Sequence, residues 1–163
     1  AEKSGVEAAS PTLYEDRLVV LTPLPENAQA NVDLVRGLWQ RCGARLTEMS
    51  PPHHDEVFSA VSHLPHALAF ALVDLMARRP DAQTLFSYAG GGFRDFTRIA
   101  GSSPEMWRDI CLANAPALLR DIGAYQHALA ALAGHLQNAD GAALEALFAS
   151  ARDARARWLN DAK

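Results

Sequence analysis

Apolar and polar positions follow two different rhythms along this chain, and the change falls near residue 50. Residues 17–22 (RLVVLT) form a short aliphatic run stopped by Pro23 and Pro25, which predicts a buried strand. In residues 26–42 the apolar positions Val32, Val35, Leu38, Trp39 and Cys42 recur at helical spacing and end at Gly43, which predicts an amphipathic helix. Residues 44–49 (ARLTEM) alternate apolar and polar, the pattern of a second strand at a sheet edge. Strand, helix and strand at this spacing make a βαβ-like unit, too small to be a stable doubly wound sheet by itself.

Beyond Pro51 and Pro52 nothing alternates with period two. Residues 53–78 read as one long helical stretch with Pro65 a kink or local unwinding. Short helices are expected over 81–88 and 93–100, separated by Gly90-Gly91-Gly92. Ser102-Ser103-Pro104-Glu105 is a helix start, with serine at the cap, proline in the first turn and an acid near the positive pole. From there the spacing predicts one helix to about Gln137 with Pro116 inside it, a turn over 138–141, and a last helix over 142–160. Leu118, Ile122, Tyr125, Leu129, Leu132 and Leu136 form a stripe that Leu144, Leu147, Phe148, Ala151 and Trp158 continue after the turn. Such a stripe must be buried. The core of a helical hairpin is favoured over a purely inter-chain seam, and both hold at once in an intertwined dimer. The fold class expected is mainly α: a small βαβ-like remnant over residues 1–50 followed by an all-helical domain over 51–163.

Charge and cysteine content narrow the function. Fifteen Lys and Arg against 19 Asp and Glu give a net charge of −4. That balance argues against nucleic acid as a partner. Two cysteines, Cys42 and Cys111, are too few for a disulfide framework or a Cys-based zinc site. The most apolar run, residues 64–77, is broken by Pro65, His66 and Asp74 and is expected to be too short for a bilayer. No targeting pattern opens the chain, so the cytoplasm is expected. The first residues read as a loop continuing from something upstream.

Two clusters carry candidate chemistry. His53, His54, His63 and His66 crowd into 14 positions with Asp55 and Glu56 among them. The His63-x-x-His66 spacing, with Pro65 inside it, disfavours a metal site, for which helical ligand pairs use i,i+4. Two polar rings on a helix otherwise built of Ala60, Val61, Leu64, Ala67 and Leu68 suit the lining of a cleft. The second cluster, Gly90-Gly91-Gly92-Phe93-Arg94-Asp95-Phe96-Thr97-Arg98, places Arg94 and Arg98 at i,i+4. Two guanidinium groups on one helix face after exposed backbone N–H groups would receive a carboxylate or phosphate. Surface arginines bridging to Asp95 or Asp109 are the equally weighted alternative. The glycines form neither a GxGxxG nor a Walker A loop.

Four segments carry a family resemblance: residues 2–7 (EKSGVE), 62–66 (SHLPH), 91–98 (GGFRDFTR) and 106–110 (MWRDI). In this order the chain resembles the prephenate and arogenate (cyclohexadienyl) dehydrogenases over essentially its whole length, more weakly after Leu118. The resemblance implies an N-terminal Rossmann domain that binds NAD or NADP, and a C-terminal helical domain that forms an intertwined homodimer. It implies oxidative decarboxylation of prephenate or arogenate on the route to tyrosine. Hydride passes from the ring carbon bearing the hydroxyl to the nicotinamide, and the ring carboxylate leaves as carbon dioxide. A histidine in a His-Pro-Ile-Ala-Gly segment, which would lie just before Ala1 or Glu2, polarises that hydroxyl.

By the same resemblance Arg98 binds a substrate carboxylate and Arg94 supplies a second cation. His66 and His63 line the pocket from the long helix, Glu2 organises its mouth, and Gly91 permits close backbone approach. Asp95 and Trp107 are expected to order the arginine helix rather than touch substrate. Neither the glycine-rich fingerprint nor the catalytic histidine occurs in these 163 residues, so by themselves they are expected to be inactive. The non-enzymatic alternative is a self-associating helical module that binds small carboxylates.

Overall fold

In the computed structural model, residue 6 and residues 9–161 are described. Two strands, β1 (Leu18–Leu21) and β2 (Arg45–Glu48), pair in parallel with Val19 opposite Leu46 and Val20 opposite Thr47. A parallel pair needs a crossover, and helix α1 (Gln29–Arg41) supplies it and packs on β2. The expected βαβ unit is therefore present, each element a residue or more shorter than its sequence signal. α1 begins after Pro23 and Pro25 and ends in a Schellman motif. The Ala44 N–H bonds the Trp39 carbonyl at 3.2 Å and the Gly43 N–H bonds the Gln40 carbonyl at 3.0 Å. Gly43 sits at φ +80, and a Cβ there would lie 3.0 Å from Glu15 Cγ.

The helical part opens with α2 (Pro51–Phe58). Ser50 caps it, its side chain accepting from the His53 N–H, with proline in the first turn. The chain then widens into a π-turn (Ser59–His63) and continues as α3 (Leu64–Ala77). The long helical stretch is thus borne out, and the disturbance expected at Pro65 is this π-turn. Proline has no N–H, and its ring collides with the carbonyl four residues back. Widening the preceding turn, with the Leu64 N–H bonded to the Ser59 carbonyl, moves that carbonyl aside.

Helices α4 (Ala82–Ser87) and α5 (Gly91–Thr97) follow, then a 3-10 turn (Arg98–Gly101). All three pack against α3. α6 (Pro104–Ala113) is capped by the Ser103 side chain, which accepts from the Met106 N–H. One correction falls here. The single helix expected through residue 137 is broken at Asn114, and α7 (Ala115–Gln137) starts anew with Pro116 in its first turn, where proline costs nothing. α8 (Gly141–Asp161) is the last helix.

By compactness the chain forms two units, Ala1–Leu118 and Leu119–Lys163. The core of the first is small: Ala69, Trp107, Ala117 and Leu118, with the polar Ser59 and Asn114 buried beside them. In the second unit the hairpin-core reading of the apolar stripe needs correction. No described residue of α8 is buried, and Tyr125, Leu129, Leu136, Leu147, Phe148 and Trp158 are exposed.

The apolar run 64–77 coincides with α3 and is the second part of a longer continuous stretch, Pro51–Ala77, whose 27 residues and window of mean hydropathy 1.4 suffice by length and composition alone to cross a bilayer. Its packing against α5 and the 3-10 turn, and the bonded imidazoles within it, are those of a helix in a folded domain.

Candidate functional site

His63 ends the π-turn and His66 lies in the first turn of α3, three residues on, a spacing that puts two side chains on one helix face. Both rings meet the indole of Trp107 from α6. His66 stacks on it with centroids 3.6 Å apart and planes 17° from parallel. His63 meets it edge-on at 6.2 Å and 74°. Trp107 is only 8% exposed, and its Nε1 is buried without a hydrogen-bond acceptor among the described residues.

The ring nitrogens are held differently. His66 Nδ1 lies 2.9 Å from the Ser62 carbonyl, which can only accept. The proton therefore resides on Nδ1, and in the neutral ring Nε2 presents a lone pair. His63 Nδ1 lies 3.2 Å from Asn114 Nδ2, which also donates to the Asp55 carbonyl at 2.7 Å. Burial pushes the His63 pKa below the ordinary 6.5, and the neighbouring His54 and His66 push the same way against the pull of Asp55. His54 turns elsewhere, its Nδ1 3.1 Å from Asp55 Oδ1 and its ring against Phe58. Among the described residues no three His, Cys, Asp or Glu side chains gather as a metal-binding group.

The arginine segment is built differently from its sequence reading. Arg94 lies within α5, whereas Arg98 opens the 3-10 turn, so the pair does not share one regular helix. Thr97 Oγ1 donates to the Phe93 carbonyl at 2.6 Å where the helix ends. Arg94, Asp95 and Arg98 are exposed, and Asp109 pairs with Arg108 at 2.8 Å. A Cβ at Gly91 would meet nothing within 4 Å, so no described segment makes a close approach there. α5 and the 3-10 turn pack on α3, the helix that begins beside His66. Glu2 lies outside the described residues.

The structure thus brings His63, His66 and Trp107 into one cluster, and sets the elements bearing Arg94 and Arg98 against the same helix. Trp107 orders the imidazoles, a role the sequence reading did not give it. Asn114 was missed altogether, although Asn114-Ala115-Pro116 is a recognisable helix break.

A second feature is a cleft of about 520 Å³ at the carboxyl end of β1, lined by Leu21, Thr22, Pro23, Asn27, Asn31 and Val32 among others. In open parallel sheets, ligands lie beyond the carboxyl ends of the strands. Two asparagine side chains and an apolar floor suit one wall of a nucleotide crevice.

Comparison with known proteins finds matches over both parts of the sequence. Residues 1–48 match the prephenate dehydrogenase nucleotide-binding domain, and residues 50–150 match the prephenate dehydrogenase dimerization domain. The cyclohexadienyl dehydrogenase of Zymomonas mobilis is 34% identical over 156 residues, 94% of this chain and 53% of that protein. The prephenate dehydrogenase of Bacillus subtilis is 36% identical over 156 residues, 95% of this chain and 42% of that protein. The crystal structure of the A. aeolicus prephenate dehydrogenase, in complex with hydroxyphenyl propionate and NAD+, superposes with a TM-score of 0.81 at 44% identity, over 90% of this chain and 52% of that one. The chain spans about half the length of these relatives. With the helical-domain match alone covering more than half of its residues, the chain belongs to the prephenate dehydrogenase family.

Proposed function

We propose that these residues are the substrate-binding and dimerisation portion of a cytoplasmic prephenate or arogenate dehydrogenase of tyrosine biosynthesis that works with NAD or NADP. The division is at residue 50, with residues 1–50 closing the nucleotide-binding domain and 51–163 forming the helical domain. The observation that carries the reading is the pair of imidazoles fixed on Trp107 on the helix against which the Arg98 turn packs. Exposed cations on elements packed against the helix that carries the oriented ring nitrogens, together with an aromatic wall, suit an unsaturated ring bearing carboxylates.

Arg98 binds one substrate carboxylate through its planar fork, and Arg94 adds positive charge nearby. His66 and His63 orient the ligand by hydrogen bonds, and Trp107 holds both rings. Gly91 leaves open space for the ligand or a partner segment, and Glu2 organises the pocket mouth. The cofactor would lie against Thr22, Asn27 and Asn31. When bound, the nicotinamide dinucleotide supplies the hydride acceptor. These 163 residues carry no His-Pro-Ile-Ala-Gly segment and no glycine-rich fingerprint, so alone they bind substrate without turning it over. The exposed stripe through Leu129, Leu136 and Phe148 is the face that a second copy covers.

Calorimetry with prephenate and with 3-(4-hydroxyphenyl)propionate tests the reading. Both are expected to bind the chain, and Arg98→Ala is expected to weaken binding roughly tenfold to a hundredfold, the loss of about 1.5–3 kcal/mol for a charge-assisted bond. Undiminished binding by Arg98→Ala would overturn the assignment.

A further inference from the structure

Asn114 occupies the break between α6 and α7, far in sequence from the histidines, yet its side chain reaches back to α2 and the π-turn. It is 8% exposed, one of two buried polar residues among the described ones. Its amide orientation follows from chemistry. The Asp55 carbonyl, 2.7 Å away, can only accept, so the atom facing it is the nitrogen. That nitrogen has two protons. One goes to Asp55, and the other points at His63 Nδ1, 3.2 Å away. His63 Nδ1 must therefore accept, and the ring proton is left on Nε2. His66 is the reverse case, its Nδ1 donating to the Ser62 carbonyl. Neighbouring imidazoles on one indole thus carry opposite tautomers, one with an Nε2 donor and one with an Nε2 acceptor.

We propose that Asn114 is a positioning residue that holds His63 as the Nε2–H tautomer, so that this ring donates a hydrogen bond to a carboxylate oxygen of the bound ligand. The donor role rests on the substrate-site reading above; the tautomer does not. A ring free to choose would present a lone pair to an anion part of the time, and repel it. Locking the proton on Nε2 removes that state before the ligand arrives. The break at Asn114 serves the same end. Ala115 and Pro116 start a new helix, and the residue between the two helices is free to turn its side chain inward instead of following the helix face.

Long-range proton–nitrogen correlation spectra of the histidine-labelled chain at neutral pH read the tautomer directly. The expected result is an unprotonated Nδ1 and a protonated Nε2 for His63, with the opposite pattern for His66. A proton on His63 Nδ1, or signals averaged between the tautomers, would overturn the proposal. In Asn114→Asp the near-isosteric carboxylate can only accept. His63 is then expected to carry a proton on Nδ1, and affinity for 3-(4-hydroxyphenyl)propionate to fall about tenfold, the worth of one hydrogen bond to a charged group. Wild-type affinity in a folded Asn114→Asp chain contradicts the positioning role. If that variant fails to fold, the wild-type spectrum alone decides the tautomer. Should the wild-type chain show the expected tautomer yet not bind the probe, the substrate-site reading fails and the donor role fails with it.

Discussion

His63 and His66 lie three positions apart among the aliphatic residues Ala60, Val61, Leu64, Ala67 and Leu68, and Trp107 covers both. The sequence made the imidazoles conspicuous because polar rings on an apolar face need partners. It could not name Trp107 and Asn114, which are far away in sequence and meet the rings only in space. Burial of His63 also has a thermodynamic consequence. Its native pKa lies below the ordinary 6.5, so the folded ring resists a proton that the unfolded ring accepts. The stability linked to His63 is present in full above 6.5 and is lost as pH falls from there toward the lowered native value. His54, Asp55 and His66 are the titratable groups that act on it, and only Asp55 opposes the shift. Urea midpoints measured a unit above and a unit below 6.5 are expected to differ in the wild type, and to differ less in His63→Gln. An equal pH response in the two proteins would refute the linkage.

At the scale of elements, most of the fold was legible. Pro23, Pro25 and Gly43 bound α1, and Ser103-Pro104 starts α6, because caps and breakers act locally. Two features were not legible. The disturbance at Pro65 was foreseen but not its form, since a kink and a π-turn both relieve a proline, and packing chooses between them. The break at Asn114 was overridden by the helical signals on either side, the amphipathic spacing before it and the alanine-rich run after it. Gly43 gives this level a direct test. Its φ of +80 is in the left-handed region, and an added Cβ would crowd Glu15. Gly43→Ala is expected to destabilise the chain by about 1–2 kcal/mol in denaturant unfolding. A neutral result would mean that the turn between α1 and β2 relaxes without cost.

For the whole molecule, the apolar stripe on α7 and α8 is the main departure from the sequence reading. Helical periodicity says that a face must be covered, but not whether the cover comes from the same chain. The structure leaves Leu136, Phe148 and Trp158 exposed, so the cover is expected to be another copy. Light scattering is expected to show a dimer, and Leu136→Glu with Phe148→Glu is expected to shift it to monomer with secondary structure retained. A monomeric wild type would contradict the dimer, and so would a dimer that survives both charges.

The central claim is that the imidazole–indole cluster and the Arg98 turn together receive an aromatic carboxylate. The most direct measurement is an NMR titration of the chain with 3-(4-hydroxyphenyl)propionate, following the ring signals of His63 and His66 and the indole Nε1 of Trp107. The account predicts saturable shifts of those signals, and of the Arg98 side chain, that Arg98→Ala weakens. Shifts confined to α7 and α8, or none at saturating ligand, would contradict it.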